Sequence, residues 1–549
     1  MLKQRIIALF LLLMLAGCSL PGQNQNDAPL EEGELIIHES TAQVRFAVDA
    51  ADSMIPTVTS SRAMAEVMEL VYEPLFSFDE KLNAVPVLAE GWSMTDNGRQ
   101  YYVSLKQGVS WHDGTAFNAN DVIYTINMIK GGNGLYKNAV ENIKEADVVS
   151  RSKILITLNH PEANFVGQLG FPIVKRNTPT EPNPEEIPVG TGPYRYAEKK
   201  SGNRFSLTAN PDWHGGEASE KEILVSVAKD SAAAVSAFLA SESDLITSSL
   251  LDLKSQSPRG SVTRRDYLSE KLTFLGMNHE NELLKLPELR KTIAYLIDKK
   301  SLVEKEVYGL GEAVDLPVLP GVWFHDEDKV EVEIDDSLLG QLLYDQGWYQ
   351  KDGYFYKDFG NYEEQLCFSL LVNKDNPEKM NLAKQIAMDL NAAGINTKLR
   401  AVGYEQYLGL VREKQFDLFI GENEMPWSMD PSRLVHSSEN YFGYQSETMD
   451  EILSRMKTTS GAEEYKAVYG EFCSLFLEDM PFVPLFFRKE ALFYDASLSA
   501  VGAPNFYRVY NQPENWYFSE KYNLAKEKKE GEKPDGAIGV SGAESENAQ

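Results

Sequence analysis

The sequence predicts an α/β protein, and three stretches carry that prediction. Between about Leu366 and Gly421, apolar runs and helical periods alternate as strand, helix, strand, helix, strand, the spacing of parallel βαβ units. Near the start, Val44-Arg45-Phe46-Ala47-Val48 reads as a strand, and Met64, Val67, Met68 and Val71 then fall at i, i+3, i+4, i+7. Late in the chain, Met449, Ile452, Leu453 and Met456 repeat the same helical face.

Each element has its own signal. Ser60 or Ser61 precedes the first helix as a cap. Tyr101 to Leu105 reads as a strand, and Asp113-Gly114 makes a turn after it. Asn118 to Asp121 offers caps for a helix carrying Val122, Ile123, Ile126 and Ile129. In the central stretch the strands are expected over Leu366 to Val372, Ile395 to Val402 and Phe416 to Ile420. The helix between the first two carries Ala383, Ile386, Ala387 and Leu390, with Gly394 at the position past its end. A second helix covers Tyr404 to Glu413, with Tyr404 and Tyr407 read as helix-face residues. Ligands on parallel sheets bind outside the carboxyl ends of strands, so the loops after Val372 and Ile420 are the first candidates for a site.

The ends differ from the middle. Lys3 and Arg5 lead into an apolar run from Ile6 to Ala16, followed by Gly17-Cys18. The run is too short to cross a hydrocarbon core, which needs roughly 20 residues. It resembles a bacterial lipoprotein signal over 1–18, which implies cleavage and lipidation at Cys18 and anchorage to the membrane. Residues 19–34 are polar and are expected to form a flexible tether; 524–549, rich in Lys, Glu, Gly and Ser, are expected to be a disordered tail. Over the whole chain, 43% hydrophobic and 11% aromatic residues are enough to build a sizeable core. A net charge of −29 without a basic patch excludes nucleic acid as a partner. Cys367 and Cys473 either pair or are two buried thiols; the sequence leaves both open.

Motifs for catalysis and metals are missing. There is no Gly-x-Ser-x-Gly elbow and no His-Glu-x-x-His pair. Ser226 to Lys229 and Ser454 to Lys457 fit Ser-x-x-Lys without the partner motifs that would activate a serine. Gly131-Gly132-Asn133-Gly134 lacks the Lys-Ser/Thr of a phosphate loop. His38, His112, His160, His214, His279, His325 and His436 form no metal-spaced pair. No enzyme activity, cofactor or metal is expected.

Four blocks carry a family resemblance. The first is Val71-Tyr72-Glu73-Pro74-Leu75-Phe76, Pro86 to Trp92, and Leu105 to Thr115 continuing to Val122. The second is Gly190-Thr191-Gly192-Pro193-Tyr194 with Asn210 to Gly216. The third is Leu275 to Asn278 with Leu289 to Asp298; the fourth is Ala393-Gly394-Ile395, Phe416 to Phe419 and Asp430-Pro431. In this order they resemble the large solute-binding proteins of bacterial peptide and nickel importers of the ABC type. The resemblance implies a bilobal periplasmic-binding-protein-like fold (class II type) with an extra small domain. One lobe would comprise 35–80, 188–267 and 496–523, the small domain 81–187, and the second lobe 268–495. Two crossings near Tyr267 and Asp495 would form a hinge. The protein would be a monomer that captures a peptide-like solute by closure and delivers it to permease subunits. A sensor on the same fold is the alternative, and a hydrolase the rival class.

The same resemblance points to a site. In peptide-binding relatives an acidic residue three positions before the Asp-Pro holds the peptide's amine; here that residue is Trp427. The arginine that grips a dipeptide carboxylate is replaced by Asn373, beside Lys374. Glu422 or Glu424 is then expected to substitute from the same loop. Trp427, Met425 and Met429 are expected to favour a bulkier or less charged ligand, with Asp430 closing the set. Most of the hallmark residues themselves are expected to be architectural.

Overall fold

The computed structural model describes residues 43–49, 51–95, 98–248, 261–325 and 338–519. The expected signal with Cys18, the tether, His38 and the C-terminal tail lie outside these residues.

Ten strands carry most of the architecture: β1 (Val44–Val48), β2 (Tyr194–Lys200), β3 (Arg204–Ala209), β4 (Glu222–Val227), β5 (Leu245–Ser248), β6 (Val262–Met277), β7 (Cys367–Asn373), β8 (Asn396–Val402), β9 (Leu418–Glu424) and β10 (Phe482–Asp495). They follow the order β8-β7-β9-β6-β10-β5-β1-β4-β3-β2, and Gly311–Ala313 adds a short strand to β10. The middle of this sheet is a long antiparallel ribbon, with β6 paired to β10 from Val262 opposite Asp495 to Gly276 opposite Phe482. β9 joins only Lys271 to Met277 of β6, and β5 joins only Ala491 to Tyr494 of β10. Two groups of strands are thus connected through one ribbon, and its pairing slips out of register between Leu268 and Leu272.

The helices follow from caps and apolar faces. Ser61 caps α1 (Arg62–Met68): its Oγ accepts from Met64 N at 3.2 Å, and Met64, Val67, Met68 and Val71 are buried. Asn118 and Asp121 form a capping box on α2 (Ala119–Gly131), which buries Val122, Ile126 and Ile129. A four-stranded antiparallel sheet accompanies α2, in the order Ala89–Met94, Gln100–Leu105, Lys153–Leu158, Ile143–Ser150. Alternate residues of its middle strands, Tyr101, Val103 and Leu105 and then Ile154, Ile156 and Leu158, are buried.

The βαβ expectation holds in the second strand group. β7 pairs in parallel with β8 and with β9. Between β7 and β8 runs α3 (Pro377–Ala392), capped by Asn376, whose Oδ1 accepts from Lys379 N at 3.0 Å. Gly394 takes φ +90° just past its end, a conformation that glycine adopts without strain. Between β8 and β9 lies α4 (Tyr404–Arg412); Tyr404 is exposed, while Tyr407 is buried and donates to Ile420 O at 2.6 Å. β9 runs past Ile420 to Glu424 because β6 still pairs with it there, Lys271 opposite Glu424. Glu422 and Glu424 therefore sit on a strand rather than in the loop expected after Ile420. Further on, α5 (Glu447–Thr458) buries Met449, Ile452, Leu453 and Met456.

The hallmark blocks hold backbone together. A Cβ on Gly190 would lie 1.8 Å from Val71 O, so the chain crosses there only without a side chain. His112 bridges the same segment, receiving a hydrogen bond from Gly190 N at 3.2 Å on Nδ1 and meeting Gly192 O with Nε2 at 3.0 Å. Buried Glu73 accepts from Trp213 Nε1 at 3.0 Å and pairs with His214 Nε2 at 3.0 Å. Buried Arg290 donates to Leu284 O at 2.7 Å and Met480 O at 2.9 Å. Cys367 is exposed and Cys473 buried; both are free, so they do not pair. Burial pushes the Cys473 thiol up to about 12, which keeps it unreactive.

Candidate functional site

The segment after β9 is fastened at every turn. Met425 N donates to Glu270 O at 2.9 Å, which ties it to β6. Met429 N donates to Pro426 O at 2.7 Å, and Met429 itself takes φ +58°, uncommon for a residue with a side chain. Asn164 Nδ2 donates to Ser428 O at 3.1 Å and Gln168 Nε2 to Ser428 Oγ at 3.3 Å. Tyr507 Oη donates to Trp427 O at 2.6 Å. Residues from three distant parts of the sequence thus converge on one turn.

A cavity of about 840 Å³ opens beside this turn. Trp427 reaches it with its indole held edge-on, 6.1 Å from Tyr136 and 4.9 Å from Tyr507 between ring centroids. Met425, Asp430 and Glu424 line the same space, as do Arg62 from α1, Glu162 and Glu270. This volume suits a solute of several residues, and its lining mixes aromatic, carboxylate and guanidinium groups.

Other expected site residues are placed elsewhere or, like Asp430, are held by neighbours. Met429 is buried and does not line this cavity. Asn373 ends β7 and Lys374 follows it; Asn373 Oδ1 accepts from Asp375 N at 3.0 Å, and neither residue lines the cavity. Glu422 is held by Lys379 Nζ at 2.6 Å and by Thr273 Oγ1 at 3.2 Å, with Arg488 Nη2 at 3.5 Å. Burial would raise its carboxyl, but Lys379 and Arg488 outweigh that and hold it below the usual range. Asp430 spends Oδ1 on Ser432 N at 2.9 Å and Ser432 Oγ at 2.6 Å, with Lys457 Nζ 3.7 Å from Oδ2.

Arg62, Tyr136, Glu162 and Glu270 were not singled out by sequence. Arg62 sits at the first turn of a helix read only for its apolar face. Tyr136 lies between α2 and the strand Ile143–Ser150, and Glu162 just after the strand Lys153–Leu158, both far from the turn in sequence. Under Arg62, on the same helix, burial pushes Glu66 up to about 7 and Glu69 up to about 8, with Arg62 opposing both shifts. Glu66 Oε2 accepts from Thr247 Oγ1 at 3.1 Å.

Metal chemistry gains no support from the histidines. His279 meets Pro481 O at 2.8 Å, and burial lowers it to about 4. His436 lies 3.9 Å from Asp450. His160 and His436 both line the cavity, yet among the described residues no three His, Cys, Asp or Glu groups converge to hold an ion. Among the described residues no helix is long and apolar enough to cross a membrane.

A strand ribbon joining two α/β groups, with a solute-sized cavity beside it, defines a binding protein of the bilobal periplasmic type. The chain belongs to the bacterial extracellular solute-binding proteins, family 5, whose model matches residues 83–445. It is 24% identical to the oligopeptide-binding protein AppA of Bacillus subtilis over 553 residues, covering 95% of this chain and 98% of that one. The structure of AppA with a nonapeptide aligns with a TM-score of 0.58 at 22% identity, over 87% of this chain and 99% of AppA. The periplasmic murein tripeptide-binding protein MppA, in its unliganded open form, aligns with a TM-score of 0.74 at 17% identity, over 88% of this chain and 98% of MppA. The family's fold and its solute-binding role are therefore those of this chain.

Proposed function

We propose that this chain is the exported, lipid-anchored receptor of an ABC-type importer, and that it captures a peptide or peptide-like solute in the cavity beside Trp427. Residues 35–80, 188–267 and 496–523 form one lobe, 268–495 the other, and 81–187 the inserted domain. The hinge lies at the two crossings near Tyr267 and Asp495, and the slip in the β6–β10 ladder that begins after Leu268 supports the first of them. Capture is by closure: the solute favours the closed form only as far as it binds that form better. The protein holds its cargo without transforming it, needs no cofactor and acts as a monomer. Cys18 carries the lipid that keeps it at the outer face of the membrane.

The observation that carries this reading is the cavity of about 840 Å³, walled jointly by α1, the inserted domain and the turn after β9. The oligopeptide-binding relative makes a peptide the first candidate for the solute. Native mass spectrometry of protein purified from its host tests it. One non-covalent peptide-like molecule per chain is expected. A chain that carries no cargo and recovers no peptide from a mixed library would contradict it. Loss of uptake in a deletion strain separates an import component from a sensor, and Cys18→Ser is expected to release the protein from the membrane.

A further inference from the structure

The stretch 81–187, taken above as the inserted domain, meets its two neighbours in different ways. Toward the first lobe it is joined through the backbone. Ile173 N donates to Glu73 O at 2.9 Å and His112 N to Gly190 O at 2.9 Å, and Pro74 and Pro172 form an antiparallel bridge. Glu73 and Ile173 are buried, and buried backbone groups must stay paired, so this side is a fixed joint. A backbone bond to the second lobe is found at the first residue of the stretch, where Lys81 O accepts from Trp323 N at 2.8 Å.

Toward the turn after β9 the same stretch offers side chains and bare glycines. Asn164 Nδ2 donates to Ser428 O at 3.1 Å and Gln168 Nε2 to Ser428 Oγ at 3.3 Å. Gln168 is 7% exposed and Ser428 1%, so each depends on the other for a partner. Gln168 Nε2 also donates to Glu162 Oε1 at 3.3 Å, and Asn142 Nδ2 holds Glu162 Oε2 at 2.8 Å, which aims the amide before it meets the turn. Between Asn164 and Gln168, Gly167 lays backbone on backbone: a Cβ there would lie 2.9 Å from Trp427 O and 3.4 Å from Ser428 Cα. That Trp427 carbonyl is the one Tyr507 holds at 2.6 Å. Gly98 approaches the end of α5 in the same way, where a Cβ would lie 2.6 Å from Lys457 O. Such contacts part and re-form without breaking a strand ladder, so this side can open.

We propose that segment 164–170 is a latch. Asn164, Gln168 and the bare backbone of Gly167 seat the turn that presents Trp427, and their release sets the rate at which the closed form lets its cargo go. They are positioning residues, acting on the solute through Trp427. The latch rests on the capture-by-closure reading given above and gives the inserted stretch a part in it: fixed to one lobe, it grips the other.

A wedge tests the latch. Gly167 lies outside the left-handed region, so alanine fits its backbone, and the nearest atoms that its methyl meets belong to Trp427 and Ser428. Wild type, Gly167→Ala and Gln168→Ala, each purified as the full chain with its host-derived cargo, are diluted into cargo-free buffer, and occupancy is followed with time by native mass spectrometry. Deuterium uptake over 161–170 and 425–432 is read in the same samples. Cargo is expected to leave Gln168→Ala about fivefold faster than wild type, and Gly167→Ala about tenfold faster or more. Both stretches are expected to exchange faster in both variants, while cargo-free melting temperatures stay within a few degrees of wild type. If Gly167→Ala does not fold, Ser428→Ala, which removes the hydroxyl that Gln168 meets, takes its place with the expectation given for Gln168→Ala. Release rates that match wild type overturn the latch and leave the solute reading standing. A wild type that carries no cargo contradicts the solute reading instead; deuterium uptake then decides the latch, and equal uptake in all three chains overturns it.

Discussion

Tyr507 holds Trp427 in two ways: its hydroxyl donates to the Trp427 carbonyl at 2.6 Å, and its ring meets the indole edge-on at 4.9 Å. The backbone and the side chain of the turn are fixed by one residue that lies 80 positions away. Tyr507→Phe keeps the ring and removes the hydrogen bond. Urea denaturation is expected to show a loss of about 1 kcal/mol. Trp427→Ala, which removes the wall that this contact orients, is expected to weaken binding of the host-derived cargo about tenfold by calorimetry. Cargo held as tightly as by wild type would contradict a role for the indole in binding.

The Glu422 ion-pair network is structural on this account. Lys379 is 8% exposed and depends on Glu422 for its charge partner. Glu422→Gln leaves that ammonium buried beside Arg488, and breaking a buried pair from one side costs about 3 kcal/mol. The Glu422 side chain is 34% exposed, which lowers the expected loss to about 1–2 kcal/mol. Denaturant unfolding checks it, and the affinity of the folded variant for cargo is expected to stay near wild type.

Gly190 tests the architectural reading of the hallmark motifs. Its missing Cβ leaves room for Val71 O, which would lie 1.8 Å from an added methyl carbon. Backbone on both sides must move to accept Gly190→Ala. A loss of more than about 3 kcal/mol is expected, seen as a fall in melting temperature or a failure to accumulate soluble protein.

Stability is expected to fall as pH rises through the range where buried Glu66 titrates. Its folded value, raised to about 7 chiefly by burial, lies above an unfolded value of about 4.3. Between those values the folded chain holds a proton that the unfolded chain has lost, so raising the pH favours unfolding. Glu66→Gln keeps an acceptor for Thr247 and removes the titration. It is expected to be about 1–3 kcal/mol more stable than wild type at pH 8 and nearly equal to it at pH 4. Paired thermal melts at the two pH values decide it.

Local periodicity made much of the fold legible. The faces of α1, α3 and α5 and the parallel pairing of β7 with β8 and β9 follow from apolar spacing and caps. The expectation of an inserted domain over 81–187 came from the resemblance, not from periodicity. The site was legible only in part. Trp427, Met425, Asp430 and Glu424 were within reach because the resemblance points to the positions before Asp430-Pro431, close to the loop expected after Ile420. Glu422 and Glu424 read as loop residues because the apolar run ends at Ile420, and pairing with β6 carries the strand on to Glu424. Glu270 had no local signal, since a bulge is a property of two strands together. Arg62 and Tyr136 come to the cavity by tertiary packing alone.

Closure of two lobes over a bound solute is the central claim, and small-angle scattering measures it most directly. Curves would be recorded for the protein stripped of cargo and again with the cargo restored to saturation. A smaller radius of gyration is expected with cargo. Superimposable curves at full occupancy would contradict it.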